Sequence, residues 1–254
     1  MNGKEQNLKV AAIVQARFGS TRLAGKILKN LCHKPMIWHV VNRLSNTKLI
    51  DQIIIATTTL PDDDQVQKFC ETNKISFYRG SSDDVLSRYF ETAKFATADV
   101  IVRITSDCPV IDFVIVDKML EMYFEKNRSG KVDYLSNTLV RTYPRGLDTE
   151  IFSFDALERA HTEAAQQFER EHVTPYFYNH PEKFSIKNFV NEKDFSFHRW
   201  TVDTEEDFRL IEEIYKALYS KKELFLFEDI LKLFEEQPHL ININQNVQQK
   251  KLGE

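Results

Sequence analysis

Short apolar runs alternate with amphipathic stretches along the first half of the chain. The apolar runs predict buried strands at 10–14, 53–56, 75–78 and 100–104. Apolar residues at helical spacing predict helices at 36–44, 61–72, 84–95 and 113–123. Because strands separated by helices of this length form βαβ crossovers, we expect an α/β fold with a mostly parallel sheet.

The pattern changes after Gly130. Shorter strands are predicted at 132–135, 149–152, 184–189 and 197–202. Further helices are predicted at 154–165, 169–178, 204–219 and 227–236. Since no Pro/Gly/Ser-rich linker divides the chain, we predict one domain over 1–240, made of the halves 1–130 and 131–240. The segment 241–254 is predicted to be a polar tail that frays at its end.

Composition and charge exclude several classes of protein. Hydrophobic residues make up 42% of the chain, which is enough for a large core, and the formal net charge of -4 argues against nucleic acid as a partner. The three cysteines lie far apart without a CxxC pair, which is typical of reduced thiols in a cytoplasmic protein. No signal peptide is visible, and no apolar run approaches the roughly 20 residues that span a bilayer, so no membrane association is expected.

Ligands of open α/β sheets bind beyond the carboxyl ends of the strands, which directs attention to the loops that follow the predicted strands. The first of these, ARFGSTRLAGK (16–26), carries Arg17, Arg22 and Lys26 among small residues. It is not a P-loop, because five residues rather than four separate its glycines and no hydroxyl follows Lys26. Small residues and converging cations still predict a loop that binds phosphates. The alternative is a solvated loop in which cations happen to cluster.

Two acidic residues follow predicted strands. Asp107 precedes Cys-Pro after the fourth strand, and Asp203 precedes a helix. Mg²⁺ prefers one or two carboxylates together with substrate phosphates, so both are candidate metal ligands. The alternatives are a turn-shaping role for Asp107 and a helix cap for Asp203, while Asp207 is best explained as a cap.

Residues 13–44 resemble the N-terminus of the sugar-activating cytidylyltransferases, which include the CMP-sialic acid and CMP-Kdo synthetases. The A-R-x-x-S-x-R-L-x-x-K signature of that family is met by Ala16, Arg17, Ser20, Arg22, Leu23 and Lys26. The branch typified by the spore coat polysaccharide protein SpsF is closer still. Its features occur here in order: RGSSDDVLSRY (79–89), VIVRITSDCPVID (100–112), YLSNT (134–138), TYPRGLDTEIFSFDALE (142–158), EREHVTPY (169–176) and TVDTEEDF (201–208).

The resemblance implies a three-layer α/β/α, Rossmann-like nucleotidyltransferase fold, similar to the GT-A fold, with a mostly parallel mixed sheet. It implies that 1–130 is the nucleotide-binding half and 131–240 the acceptor and dimerisation half. CTP would be held by Ala16, Arg17, Ser20, Arg22, Lys26, Arg79 and Ser82, although Ser82 could equally cap the helix that follows it. The catalytic residues would be Arg22, Lys26 and Asp107, with Mg²⁺ as the cofactor on Asp107 and Asp203.

The acceptor is expected to bind in the second half of the chain. Asp148 and Glu150 lie on one face of a predicted strand, and carboxylates suit the hydroxyl groups of a sugar, although a polar strand edge would look the same. Asn137 and His172 are further candidates, with a structural histidine as the alternative for the latter. CMP-Kdo synthetases differ in this half, so their acceptor residues cannot be carried over.

The predicted reaction is attack of a sugar oxygen on the α-phosphorus of CTP, which releases pyrophosphate. The acceptor is expected to be a nonulosonic or other sugar acid and the product to serve surface glycan synthesis, in a cytoplasmic protein for which the resemblance suggests a homodimer. One alternative is a nucleotidyltransferase that uses another NTP on a sugar phosphate. Another is a GT-A-like glycosyltransferase, for which only Asp62 to Asp64 offers a D-x-D motif. A non-catalytic nucleotide-binding protein is disfavoured by the intact loop cations and both candidate metal ligands.

Overall fold

The computed structural model describes residues 8–20 and 22–249. Its strands are β1 (Val10–Gln15), β2 (Asn30–Leu31), β3 (Lys34–Pro35), β4 (Gln52–Thr58), β5 (Ser76–Gly80), β6 (Val100–Thr105), β7 (Tyr134–Ser136), β8 (Glu150–Ser153) and β9 (Ile186–Asn188). Its α-helices are α1 (Met36–Leu44), α2 (Asp64–Asn73), α3 (Val85–Ala96), α4 (Phe113–Ser129), α5 (Phe154–Glu163), α6 (Gln167–His172), α7 (Pro175–Asn179), α8 (Glu205–Leu218) and α9 (Phe227–Glu236). Short 3₁₀ helices cover Lys26–Leu28, Pro61–Asp63 and Pro238–Ile243.

The main sheet has seven strands in the order β5-β4-β1-β6-β8-β7-β9. The first four of these are parallel, β8 is antiparallel to both of its neighbours, and β9 is parallel to β7. Alternate residues of β1 enter two different cores. Val10, Ala12 and Val14 pack with α1, α4 and α8, whereas Ala11 and Ile13 pack with α3. Helices therefore cover both faces of the sheet, which confirms the predicted three-layer fold.

The predicted strands and helices of the first half are confirmed, with α4 reaching further than its pattern suggested. Two predictions for the second half are wrong. The helix predicted at 169–178 is two helices, α6 and α7, because Val173 lies between them in a γ-turn with a positive φ (71°), closed by a bond from Thr174 N to His172 O (2.8 Å). The predicted strand at 197–202 is not a strand. It pairs with a loop instead, through bonds from Arg145 N to His198 O (3.2 Å) and from Trp200 N to Arg145 O (2.7 Å).

The chain end is more ordered than its polar composition predicts. Asn244 is 4% exposed and its side chain donates hydrogen bonds to Arg199 O and Asp207 Oδ1, so the prediction of fraying is wrong for the part up to residue 249. Residues 250–254 of the predicted tail lie outside the described residues. Within the described part of the chain, no helix combines the length and apolar character needed to cross a membrane.

Candidate active site

The loop after β1, residues 16–26, is a tight structure tied to the neighbouring loop. Phe18 N–H donates to Asp63 Oδ1 (2.6 Å), and Asp63 also accepts from the hydroxyl and the N–H of Thr58 at the end of β4. The loop closes with a bond from Gly25 N to Phe18 O (3.1 Å). Gly25 is required there, because its φ is 62° and a Cβ would lie 2.9 Å from the Phe18 ring.

The turn at Gly25 directs Lys26 into the protein, where it is 8% exposed. Its ammonium donates three hydrogen bonds: to Asp107 Oδ2 (2.9 Å), Asp203 Oδ1 (2.9 Å) and the Val202 carbonyl oxygen (2.7 Å). Burial alone would lower the pKa of Lys26, but the carboxylates of Asp107 and Asp203 outweigh that effect and raise it. Lys26 is therefore charged and lies where the two predicted metal ligands converge.

Asp203 contacts two further cations. Its Oδ2 lies 2.9 Å from Arg22 Nη2 and accepts a hydrogen bond from Arg199 Nη2 (2.7 Å). Burial alone would raise the pKa of this carboxyl, but Lys26, Arg22 and Arg199 together hold it below its usual range. Asp203 is ionised at neutral pH, and two of its three cationic partners come from the loop after β1.

Further hydrogen bonds hold the Asp107 carboxylate and the backbone at Asp203 in place. Asp107 Oδ1 accepts from the Thr105 hydroxyl (2.6 Å) at the end of β6. Asp207, which is fully buried, accepts from the backbone N–H groups of Asp203 (2.9 Å) and Thr204 (3.1 Å). Its role as a cap of α8 is thereby confirmed.

The donor set suits a hard divalent cation. Asp107 and Asp203 each place an oxygen 2.9 Å from one ammonium nitrogen, so both reach a common cation. Among the described residues, no group of three or more His, Cys, Asp or Glu side chains could hold a metal. In nucleotide sites, Mg²⁺ is commonly bound by one or two carboxylates, and phosphates and water fill its other coordination positions.

A cavity of about 130 Å³ lies beside the loop, between the ends of β1, β4 and β5. Arg17 and Ser82 both line it. Ser82 does not cap α3, since Asp84 accepts the capping hydrogen bond from Ser87 N (2.8 Å). Of the other predicted nucleotide-binding residues, Ala16 is buried at the start of the loop and Ser20 is half-buried within it.

Arg79 has a structural role that the sequence analysis did not predict. Its guanidinium donates to Asp64 Oδ1 (2.7 Å) and Gln67 Oε1 (2.7 Å), and to the carbonyl oxygens of Thr58 (2.8 Å) and Leu60 (2.9 Å). These bonds fasten the loop after β4, and Arg79 does not line the small cavity.

A larger cavity of about 710 Å³, here called the acceptor cavity, lies at the end of β6 and β8. It is lined by Arg103, Thr105, Thr138, Arg141, Arg145, Asp148, Glu150, His172, Thr174, Tyr178 and Gln249. Three of the four predicted acceptor residues are in this set. Asn137 is not, because its buried amide donates to Leu147 O (2.7 Å) and accepts from Thr149 N (2.9 Å), which holds the loop before β8.

The cations of the acceptor cavity differ in their pairing. Arg103 forms an ion pair with Glu150, and Arg141 grips Asp148 through two hydrogen bonds (2.5 and 2.9 Å). Arg145 has no side-chain partner among the described residues. The cavity therefore offers one uncommitted guanidinium to a ligand. His172 also lines the acceptor cavity. Burial lowers the pKa of its imidazole, so that it is neutral at pH 7.

The structure places several residues at the site that the sequence analysis did not name as candidates. Arg103 could have been found, because it is a lone cation inside the apolar run VIVRI. Asp63, Arg141 and Arg199 carry no comparable local signal, since their roles depend on partners brought close only by the fold.

Comparison with known proteins identifies the family. A profile of the family described as cytidylyltransferase matches residues 11–250. The spore coat polysaccharide biosynthesis protein SpsF of Bacillus subtilis is 31% identical over 216 residues, which cover 82% of this chain and 85% of that protein. The chain belongs to the cytidylyltransferase family and is a nucleotidyltransferase, as the resemblance predicted.

Solved structures agree with this assignment. A cytidylyltransferase from Leptospira borgpetersenii serovar Hardjo-bovis matches with a TM-score of 0.88 and 33% identity, over 96% of this chain and 100% of that one. A CMP:2-keto-3-deoxy-manno-octonic acid synthetase complexed with CTP matches with a TM-score of 0.64, over 82% of this chain and 99% of that one. At 18% identity, this second likeness shows the fold alone.

Proposed function

We propose that this protein transfers CMP from CTP to a sugar acid in a Mg²⁺-dependent reaction that releases pyrophosphate. The observation that carries the proposal is the convergence of Asp107 and Asp203 on one cation beside a loop with two further cations. Nucleotidyl transfer needs this combination, because negative charge must be neutralised both at the attacked phosphorus and on the leaving pyrophosphate.

The loop cations have a second use in this proposal. Arg22 and Lys26 pair with the carboxylates in the structure, and both come from the loop that faces the phosphates. When the triphosphate binds, they turn from the carboxylates to phosphate oxygens and stabilise the charge that develops on pyrophosphate. Asp107 and Asp203 would then hold Mg²⁺, which would supply charge neutralisation and lower the pKa of the attacking hydroxyl.

The nucleotide is held by the ends of β1, β4 and β5. Arg17 and Ser82 both line the small cavity and bind CTP in this proposal, while Ala16 and Ser20 shape the loop. Arg79 contributes by fastening the loop after β4 rather than by touching the nucleotide. A D-x-D metal site at 62–64 would use Asp62 and Asp64, and it finds no support, because the Asp64 carboxylate pairs with Arg79 Nη1 (2.7 Å) instead.

The acceptor cavity favours an anionic sugar. Arg145 is uncommitted and suits a carboxylate, while Asp148 and Glu150 present oxygen acceptors to hydroxyl groups. His172, neutral at pH 7, adds a polar wall without charge. The relative SpsF is named for spore coat polysaccharide biosynthesis, which supports a role in surface glycan synthesis. A cytoplasmic location and a homodimer remain predictions.

Pyrophosphate release measured with each of CTP, UTP, GTP and ATP tests the proposal. Each nucleotide is offered with Mg²⁺ against a panel of sugar acids and, separately, sugar phosphates. We expect turnover with CTP and a sugar acid only. Turnover with UTP or GTP and a sugar phosphate would establish the alternative nucleotidyltransferase and overturn the proposal.

A further inference from the structure

The last described residues fold back onto the segment that carries Asp203. Residues 244–249, here called the C-terminal strap, continue from the 3₁₀ helix Pro238–Ile243. A bond from Val247 N to Asn244 O (2.9 Å) makes the strap compact. The strap lines a cavity of about 250 Å³ together with residues 196–200, and its Gln249 also lines the acceptor cavity. The strap thus borders two cavities next to the proposed metal site.

Asn244, the first residue of the strap, anchors it to the segment that carries Asp203. Its amide donates to the Arg199 carbonyl oxygen (2.9 Å) and to Asp207 Oδ1 (2.8 Å). Since Asp207 is fully buried, the strap begins on a fixed polar core rather than on the surface.

Gln249 holds the side chain of the same arginine. Its Oε1 accepts from Arg199 Nη1 (2.6 Å), while Nη2 donates to Asp203 Oδ2 (2.7 Å) and Nε donates to Asp207 Oδ1 (2.9 Å). Each guanidinium nitrogen therefore has a partner. Because the guanidinium is planar and rigid, it cannot rotate without weakening all of these bonds.

Arg199 differs from the other two cations on Asp203. Arg22 and Lys26 belong to the phosphate-binding loop and leave Asp203 for the triphosphate in the proposed function. Arg199 is 9% exposed, is tied to Asp207 and has no route to the phosphates that keeps those bonds. Its orientation consequently decides where the Asp203 carboxylate points once the nucleotide is bound.

We propose that Gln249 is a positioning residue of the metal site, which aligns Asp203 for a divalent cation by holding Arg199. The inference rests on the proposed function, since it takes Asp203 as a metal ligand. It assigns a role in the site to the end of the chain, far in sequence from the phosphate-binding loop.

The test measures Mn²⁺ affinity in the presence of CTP, by electron paramagnetic resonance of free Mn²⁺. We expect Gln249→Ala to weaken Mn²⁺ binding about fivefold, the net equivalent of one ordinary hydrogen bond, because Gln249 acts on the metal only through Arg199 and Asp203. Gln249→Glu restores binding to at least the wild-type level, because its carboxylate also accepts from Arg199. Gln245→Ala is the matched control, since Gln245 lies on the strap and makes no described hydrogen bond with Arg199.

Thermal unfolding of each variant separates positioning from stability, and we expect an unchanged Tm because Gln249 is exposed. Wild-type Mn²⁺ affinity in Gln249→Ala, or an equal loss in Gln245→Ala, overturns the inference. Asp203→Asn, with Asp107→Asn as a second report, tests the proposed function separately. If both of these bind Mn²⁺ as the wild type does, the proposed function fails. If they lose binding and Gln249→Ala does not, only the positioning role fails.

Discussion

In the proposed function, Lys26 and a divalent cation compete for the carboxylates of Asp107 and Asp203. The ammonium uses one oxygen each of Asp107 and Asp203, at 2.9 Å in both cases. A metal ion on these two oxygens would lie against the ammonium, and like charges at such short range repel strongly inside a protein. Metal binding and the departure of Lys26 are therefore coupled.

Replacement of Lys26 by Met separates the two effects of this residue. We expect Lys26→Met to abolish pyrophosphate release, because the phosphates lose a cation. In the absence of CTP, the same variant should bind Mn²⁺ at least about tenfold more tightly than the wild type, since the two charge-assisted hydrogen bonds of the ammonium no longer compete for the carboxylates. Isothermal titration calorimetry with MnCl₂ measures the affinity.

Lys29→Met is the control for this experiment. It removes the same charge three residues away, from a lysine whose partner is Glu205 at the surface. We expect wild-type Mn²⁺ affinity from it. If Lys26→Met binds Mn²⁺ no better than the wild type, Lys26 does not compete with the metal.

At the residue scale, the sequence predicted the candidate site best where several of its residues belong to one short motif. Arg22 and Lys26 meet at Asp203, and because Arg17, Arg22 and Lys26 occur within ten residues, a cluster of cations in this loop could be predicted. The partners of Lys26 could not, because Asp107 and Asp203 are 81 and 177 residues away in the chain. The contrast between the paired Arg141 and the uncommitted Arg145 likewise depends on side-chain geometry that no spacing encodes.

At the scale of the element, the loop after β1 is held in place by one buried carboxylate, that of Asp63. Asp63 accepts from Phe18 N on this loop and from Thr58 N at the end of β4, and it is 2% exposed. Its removal leaves buried N–H groups without partners. That cost is about 1 to 3 kcal/mol for each group.

We expect Asp63→Ala to lower the free energy of unfolding by about 2 kcal/mol or more and to raise the KM for CTP about tenfold, because the loop loses its attachment. Urea denaturation and steady-state kinetics measure the two effects. Asp155→Ala is the matched control, as Asp155 is exposed, lines neither the small cavity nor the acceptor cavity and makes no side-chain hydrogen bond among the described residues. A CTP KM that stays at the wild-type value in Asp63→Ala would show that the loop keeps its shape without this carboxylate.

Elements with strong periodicity were predictable, and those set by one unusual backbone angle were not. Helices α1 and α9 have their predicted bounds, because apolar residues recur on one face of each. The break between α6 and α7 depends on the positive φ of Val173, a backbone conformation that a valine in the sequence does not indicate. The segment around Trp200 pairs with the loop that contains Arg145. This tertiary contact overrides the strand-like pattern of 197–202.

At the scale of the whole molecule, the proposed function assigns the two substrates to two regions of the sheet. The proposed nucleotide site lies at the carboxyl ends of the parallel strands β5, β4, β1 and β6, where the rule for open α/β sheets predicts ligands. The antiparallel strand β8 turns the sheet and brings the acceptor cavity beside β6. The parallel part was predictable from alternation alone. The order of β7, β8 and β9 was not, because short strands carry too little pattern to define their neighbours.

The central claim is that Asp107 and Asp203 hold the metal on which CMP transfer from CTP depends. The most direct measurement is Mg²⁺-dependent pyrophosphate release from CTP by the wild type, by Asp107→Asn and by the exposed-surface control Asp155→Asn. The account predicts that Asp107→Asn loses at least about a hundredfold in kcat, that Asp155→Asn retains wild-type activity, and that EDTA abolishes release in all three. Release by Asp107→Asn at the wild-type rate, or undiminished release in EDTA, would contradict it.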